Sequence, residues 1–224
     1  MACRLNSGHT ITGTETGLYY NAGMRLRNEV REETLINKSR FITCASPARS
    51  EEEARAYIAS VRHEYPDATH VCTAYITGKN GEIQRSSDNG EPSGTAGIPI
   101  LEAIRRSELT DTCVAVVRYF GGIKLGTGGL ARAYGGCTQN LLQEAPKVRD
   151  ITMPVYSVRY PYELSGTIEG WIRRTCEIID LQYDEAVTCI FTGTEKEIPE
   201  RIRDLSKGTC TASLIREELR EVDV

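Results

Sequence analysis

Val117-Arg118-Tyr119-Phe120-Gly121-Gly122-Ile123-Lys124-Leu125-Gly126-Thr127-Gly128-Gly129-Leu130-Ala131-Arg132-Ala133-Tyr134 is the stretch from which the fold of this 224-residue chain is read. The apolar run Cys113 to Val117 predicts a strand that ends in an arginine and two aromatics. Five glycines follow between positions 121 and 129, and a helical pattern opens at about Leu130. Glycines at this density allow positive φ and close approach of the backbone, which suits either a very tight turn or a binding loop. An earlier loop, Ser86-Ser87-Asp88-Asn89-Gly90-Glu91-Pro92-Ser93-Gly94-Thr95-Ala96-Gly97, has the same plan. The two loops are expected to frame one site.

Working outward, the composition is that of a soluble globular protein long enough to bury a core without staples. The eight cysteines (3, 44, 72, 113, 137, 176, 189 and 210) form no C-x-x-C and do not cluster with histidine. Several lie in apolar strand-like runs, so buried thiols in a reducing compartment are expected, with no disulfide frame and no zinc site. No apolar run reaches the ~18 residues of a membrane span and no signal-peptide core is present, so a cytoplasmic protein without a membrane partner is expected. The net charge of −4 excludes a uniformly basic nucleic-acid binder. Residues 1–150 nevertheless carry 18 basic and 17 acidic side chains, against 9 and 14 in residues 151–224. A polyanion would therefore meet the first half through a local patch.

Residues 1–24 are aperiodic and read as a flexible tail, with Met24 a candidate internal start. Thr34–Ile36 and Phe41–Cys44 read as strands bracketing a turn. Ser50-Glu51-Glu52-Glu53 is a capping box, followed at helical spacing by Ala54, Tyr57, Ile58, Val61 and Tyr65 and closed by Pro66. His70–Thr77 alternates as a strand and turns at Gly78-Lys79-Asn80-Gly81 into Glu82–Arg85. Ile98, Leu101, Ala103 and Ile104 predict a short helix. The helix after the second loop contains Gly135 and Gly136, which suggests that something packs hard against them.

Pro146–Asp150 reads as a linker, placing one domain over 25–146 and a second over 151–224. The second reads β-α-β-β-α-β: strand Val155–Tyr160, a helix on Leu164, Ile168, Trp171 and Ile172, strands Ile178–Tyr183 and Val187–Phe191, helix Glu195–Lys207, and strand Thr209–Ile215. Gly208 is a C-cap candidate for the last helix. This order is the ferredoxin-like arrangement, and the fold class expected is α+β in two domains.

Gly126-Thr127-Gly128-Gly129-Leu130-Ala131 formally matches G-x-G-x-x-A, but a dinucleotide fold places that motif at the strand end with an acid some 20 residues on. Here the motif begins six positions after Phe120. A Walker A loop fails because Thr127 stands where lysine is required. More generally, both loops lead into helix N-termini, where free amides and the helix dipole favour an anion. The alternative is that the glycines only make tight turns and that Asp88 and Glu91 pair with Arg118. An enzyme would use His70, Asp88 and Glu91; no G-x-S-x-G elbow or recognisable histidine base motif supports it.

Lys38-Ser39-Arg40-Phe41, His70-Val71-Cys72, Ser87–Gly97 and Val116–Leu130 together resemble the IMPACT family and its bacterial YigZ-like branch over about residues 30–224. The resemblance implies a first domain with the two-layer α+β fold of a small-subunit ribosomal protein's second domain and of elongation factor G domain IV. It implies a ferredoxin-like second domain similar to the last domain of elongation factor G. Both folds recur in translation proteins that touch RNA, so the resemblance also implies an association with translation, whereas the regulatory mechanism of the eukaryotic members does not transfer. A non-catalytic regulatory protein contacting RNA or ribosome-linked phosphates is the leading expectation. Its contacts would be Arg118, Lys124, Arg132, Lys38 and Arg40 with Gly94, Thr95, Gly97, Gly121, Gly122, Gly126, Thr127 and Gly128. A small-substrate hydrolase on His70, Asp88 and Glu91 is the second reading. A protein-interaction module, using the acidic second domain for a protein partner, is the third. No cofactor or metal is expected.

Overall fold

The computed structural model describes residues 21–224 other than Lys79 and Lys196. The tail expected over residues 1–24 lies outside the described residues up to residue 20, whereas 21–24 belong to a strand. The chain divides into two compact units, one of residues 21–151 with 219–224 and one of residues 152–218.

In the N-terminal unit, strands β2 (Val30–Ile36), β3 (Ser39–Pro47), β4 (His70–Thr77), β5 (Ile83–Ser87) and β6 (Thr112–Tyr119) form one antiparallel sheet, ordered β2-β3-β6-β4-β5. Alternation along β3, β4 and β6 divides the apolar side chains between the two faces. Ile42, Cys44, Val71, Ala115 and Val117 face helix α1 (Glu51–Glu64) through Val61. Phe41, Ala45, Cys72, Ala74, Val114 and Val116 face helices α2 (Gly97–Arg106) and α3 (Gly126–Glu144) through Ile100, Ile104, Leu130 and Tyr134. The central strand β6 is buried on both sides from Thr112 to Arg118, which explains its unbroken apolar run.

Local chemistry sets the ends of these elements. Ser50 Oγ accepts from the Glu53 amide at 3.2 Å and starts α1, while the Glu53 carboxylate accepts from the Arg49 amide, one residue before the position expected. Asn37 and Lys38 both adopt positive φ, +46° and +65°, and make the two-residue turn between β2 and β3. In α3, a β-carbon on Gly135 would meet Pro99 of α2 at an ordinary 3.5 Å, and one on Gly136 would meet nothing within 4 Å. Hard packing against both glycines is therefore not what the structure shows. Gly136 is exposed in a helix interior, so Gly136→Ala is expected to raise stability by about 1 kcal/mol. Thermal unfolding of the purified variant checks this, and an unchanged or lower midpoint would contradict it.

The expected linker is a strand. Strand β7 runs from Lys147 to Tyr160, and its residues 147–151 pair antiparallel with β1 (Asn21–Leu26). Periodicity could not show this, because the partner lies more than 120 residues away in sequence. Arg25 on β1 is buried and donates to Asp150 at 3.1 Å and to Glu221 at 2.5 Å, which ties the last residues of the chain to this pair.

In the C-terminal unit, β7 is followed by α4 (Ser165–Thr175), β8 (Glu177–Tyr183), β9 (Val187–Thr192), α5 (Ile198–Leu205) and β10 (Ser213–Asp223). Strand β9 lies between β7 and β8, and β10 pairs with β7. This is the ferredoxin-like order, closed over Ile168, Trp171, Ile172, Phe191, Ile198 and Ile202. Gly208, at φ +85°, donates its N–H to the Arg203 carbonyl at 2.7 Å and ends α5, as a C-cap glycine does. The last strand starts at Ser213 instead of Thr209, because Ser206 Oγ takes up the Cys210 amide and holds residues 206–210 in a turn.

Among the described residues no helix is long and apolar enough to cross a membrane, and no cluster of His, Cys, Asp and Glu is arranged to hold a metal.

Candidate functional site

The pairing register brings both glycine loops to one end of the N-terminal sheet. His70, which opens β4, pairs with Arg118 near the end of β6, and Arg118 pairs on its other side with Phe41. Ser87, which ends β5, pairs with Thr73, and the turn at Asn37-Lys38 lies beside Ser39 at the same end. Helices α2 and α3 both begin there, so the positive ends of two helix dipoles point the same way.

The first loop is folded around its own acid. Asp88 Oδ1 accepts from the Ala96 and Gly97 amides at 3.0 and 2.8 Å, and Oδ2 accepts from Gly94 at 2.8 Å. Burial alone would push the Asp88 carboxyl up, but the N–H groups of Gly94, Gly97 and Ala96 together hold it below its ordinary value. Thr95 is also engaged within the loop: its amide and its hydroxyl both donate to the Pro92 carbonyl, at 3.1 and 2.6 Å. The amides of Gly94, Thr95 and Gly97, expected to meet a phosphate, thus point into the chain itself. A β-carbon on Gly97 would lie 2.7 Å from the Ser87 amide nitrogen, so glycine is required there by space.

Glu91 is the centre of a buried polar cluster. Its Oε1 accepts from Arg118 Nη1 at 2.5 Å and from the Tyr134 hydroxyl at 2.8 Å. The Glu91 and Arg118 side chains are 4% and 6% exposed. Arg118 also donates from Nη2 to Ser39 Oγ at 3.3 Å, its guanidinium lies 5.5 Å from the ring centroids of both Phe41 and Phe120, and its Nε has no hydrogen-bond partner. Arg118, expected at the head of the phosphate contacts, is therefore a buried clamp between the first loop and the sheet. Of the two acids considered as its partners, Glu91 takes the role and Asp88 does not.

His70 Nδ1 lies 2.9 Å from the Asn89 carbonyl, which can only accept, so Nδ1 carries the proton. Its Nε2 is 3.9 Å from Glu91 Oε2. The three residues named for an enzyme are thus brought together, each already engaged in holding the first loop. Cys72 beneath them donates to the Asp88 carbonyl, and burial pushes its thiol up to about 12, so it is no thiolate nucleophile. Tyr134 is likewise held neutral, first by burial and then by Cys72 and Glu91.

The second loop is open where the first is closed. No side chain caps α3, whose first residues Gly126, Thr127 and Gly128 are exposed. Gly122 and Gly126 have φ of +84° and +71° with no neighbouring atom in reach of a β-carbon. Gly121 donates its amide to Ser39 Oγ at 3.3 Å and rests against the backbone of Lys38. An open depression of about 290 Å³ between the β2–β3 turn and the start of α3 is lined by Ile36, Asn37, Leu125, Gly129, Arg132 and Ala133. Arg132 lines it, and Lys38 and Lys124 follow and precede two other lining residues, Asn37 and Leu125; all three cations are exposed and without an ion-pair partner among the described residues. Arg40 differs: it forks onto Glu33 at 2.8 and 2.9 Å and lies over Tyr119, on the face that carries α1.

Sequence reading missed Ser39, Asn89, Tyr134 and Phe120. Tyr134 reads as an ordinary core position on the α3 stripe, and nothing in the sequence marks its hydroxyl. The pairing of His70 and Phe41 with Arg118, which would have drawn them together, is a matter of register.

The Impact N-terminal domain matches residues 37–142, from the β2–β3 turn to the end of α3, and so encloses both loops. The IMPACT family member YvyE of Bacillus subtilis (strain 168) is 42% identical over 79% of this chain and 83% of its own length. The chain belongs to the IMPACT family. YigZ of Escherichia coli (strain K12), the member that names the branch, is 36% identical over 81% of the chain and 92% of its own length. A crystal structure described as that of a hypothetical protein is 33% identical with a TM-score of 0.57, covering 89% of this chain and all of that one. The family model lies within the N-terminal unit, the two relatives cover more of the chain than that unit holds, and the segments on which the IMPACT resemblance was read, 38–41, 70–72, 87–97 and 116–130, are the ones that converge at this end of the sheet.

Proposed function

We propose that this IMPACT-family protein is a regulatory protein associated with translation, and that it binds RNA phosphates at the end of the sheet where α3 begins. One observation carries the reading: an open depression beside the uncapped N-terminus of α3 is lined by the exposed Arg132, and the segments that supply its lining residues Asn37 and Leu125 also carry Lys38 and Lys124, both exposed and without ion-pair partners among the described residues. Unpaired amides at a helix N-terminus favour an anion, and lysine and arginine beside them add charge-assisted donors. The first loop supports this surface by being rigid. With its own carboxylate in the α2 amides, it leaves the second loop as the place where a foreign anion fits. The acidic C-terminal unit, with its like charge, is left for a protein partner.

The test is the salt dependence of binding to bulk tRNA. Three phosphate contacts predict a log–log slope of roughly −2 to −3. The variant Lys38→Ala/Lys124→Ala/Arg132→Ala is expected to bring the slope close to zero while leaving thermal stability unchanged, since none of the three makes an ion pair. A wild-type slope near zero, or no binding at low salt, would overturn the reading.

A further inference from the structure

Phe120 directly precedes the second glycine loop and is 47% exposed. Exposure alone says little, since Ile98 and Ile123 are exposed to a similar degree. What sets Phe120 apart is how it is held. Its amide donates to Thr69 Oγ1 at 3.1 Å, and the next amide, of Gly121, donates to Ser39 Oγ. Its ring lies over the Arg118 guanidinium, which Glu91, Ser39 and the Phe41 ring hold from the other sides. The guanidinium is thus in contact with two rings, Phe41 in the core and the half-exposed Phe120. A ring supported in this way loses little rotamer freedom when something stacks on it.

The surroundings of the ring say what that something is. The residue after it, Gly121, rests on the Lys38 backbone, and the Asn37-Lys38 turn shares its depression with Leu125, Gly129 and Arg132. A half-exposed ring in the loop that carries Lys124 and packs on the Lys38 backbone matches a nucleotide, with a base for the ring and a phosphate for the cations. In an A-form duplex the base faces are covered by their neighbours, so a ring of this kind has nothing to stack on. Resting on the RNA reading above, we infer that the surface selects unpaired RNA and that Phe120 is the platform on which one base stacks.

The experiment measures binding of a fluorescein-labelled single-stranded RNA octamer, and of the same octamer annealed to its complement, across a salt series. The single strand is expected to bind more tightly. Phe120→Ala is expected to weaken single-strand binding about five- to a hundredfold with the salt slope unchanged, because stacking releases no counterions. Phe120→Leu keeps apolar volume without a π-face and is expected to lose binding as alanine does, whereas Phe120→Trp is expected to retain it. Duplex binding as tight as single-strand binding, or Phe120→Leu binding like wild type, would overturn the stacking inference while a steep salt slope still upheld phosphate contact. Absence of binding to either RNA at low salt would overturn both.

Discussion

Replacing Glu91 by alanine is expected to lower the stability of the N-terminal unit by about 3–5 kcal/mol, the range for removing one partner of a buried ion pair. Both side chains are almost fully buried, and Arg118 already has one nitrogen, Nε, without a partner. Without Glu91, the guanidinium would keep only Ser39 Oγ at 3.3 Å and the two ring faces, and Tyr134 would lose the acceptor of its buried hydroxyl. Glu91→Gln preserves the acceptor oxygen but not the charge, and is expected to fall between alanine and wild type. The double variant Glu91→Leu/Arg118→Met removes both charges and is expected to recover much of the loss, because a buried pair often adds little over apolar side chains of similar volume. Urea unfolding followed by far-UV circular dichroism is the suitable measurement, since the single tryptophan, Trp171, lies in the other unit and reports on it instead. A loss below about 1 kcal/mol for Glu91→Ala would show that the pair is solvated and that the clamp assigned to Arg118 is wrong.

The second large effect is expected at Gly121. A β-carbon there would overlap the carbonyl carbon and oxygen of Lys38 and crowd the Ser39 amide, all of them backbone atoms. The hairpin cannot readily give way, because Asn37 and Lys38 already hold two successive positive φ values and Ser39 is locked into the sheet beside Phe41. Gly121→Ala is therefore expected to cost about 3 kcal/mol or more, at or beyond the upper end of ordinary overpacking. Its neighbour gives the contrast. Gly122 has φ of +84° and open space around it, so Gly122→Ala carries only the left-handed backbone penalty of about 1–2 kcal/mol. The ranking is checked by denaturant midpoints of the two variants. Gly122→Ala proving the more damaging would remove the close-approach explanation for Gly121.

These two glycines show how far the sequence can be read. Their density announces unusual backbone, and the alternation of Gly121-Gly122 with apolar and basic residues marks a loop. Which glycine serves conformation and which serves space depends on what lies opposite, and Lys38 is some eighty residues away in the chain. The same holds for Arg118. A strand-terminal arginine beside a glycine loop is chemically equivalent in sequence whether it meets a phosphate or a carboxylate. Only the register that sets His70 and Phe41 beside it, and Glu91 above it, selects the carboxylate.

Local and periodic features were determined by the chain itself. Ser50 starts α1 through a hydrogen bond three residues long, the alternation of β4 and its turn make a hairpin, and Gly208 ends α5 through its own φ. The β-α-β-β-α-β order of the C-terminal unit follows from apolar spacing alone, since each of its elements signals its own period. The tertiary structure decided whatever required a distant partner. It made residues 147–150 a strand by supplying β1 as a neighbour, and it filled the α2 amides with Asp88. It also turned Arg118 inward and left Lys38, Lys124, Arg132 and Phe120 facing solvent. The physical reason is the same in each case: burial and pairing belong to contacts across the sheet, whereas propensity and capping act within a few residues of chain.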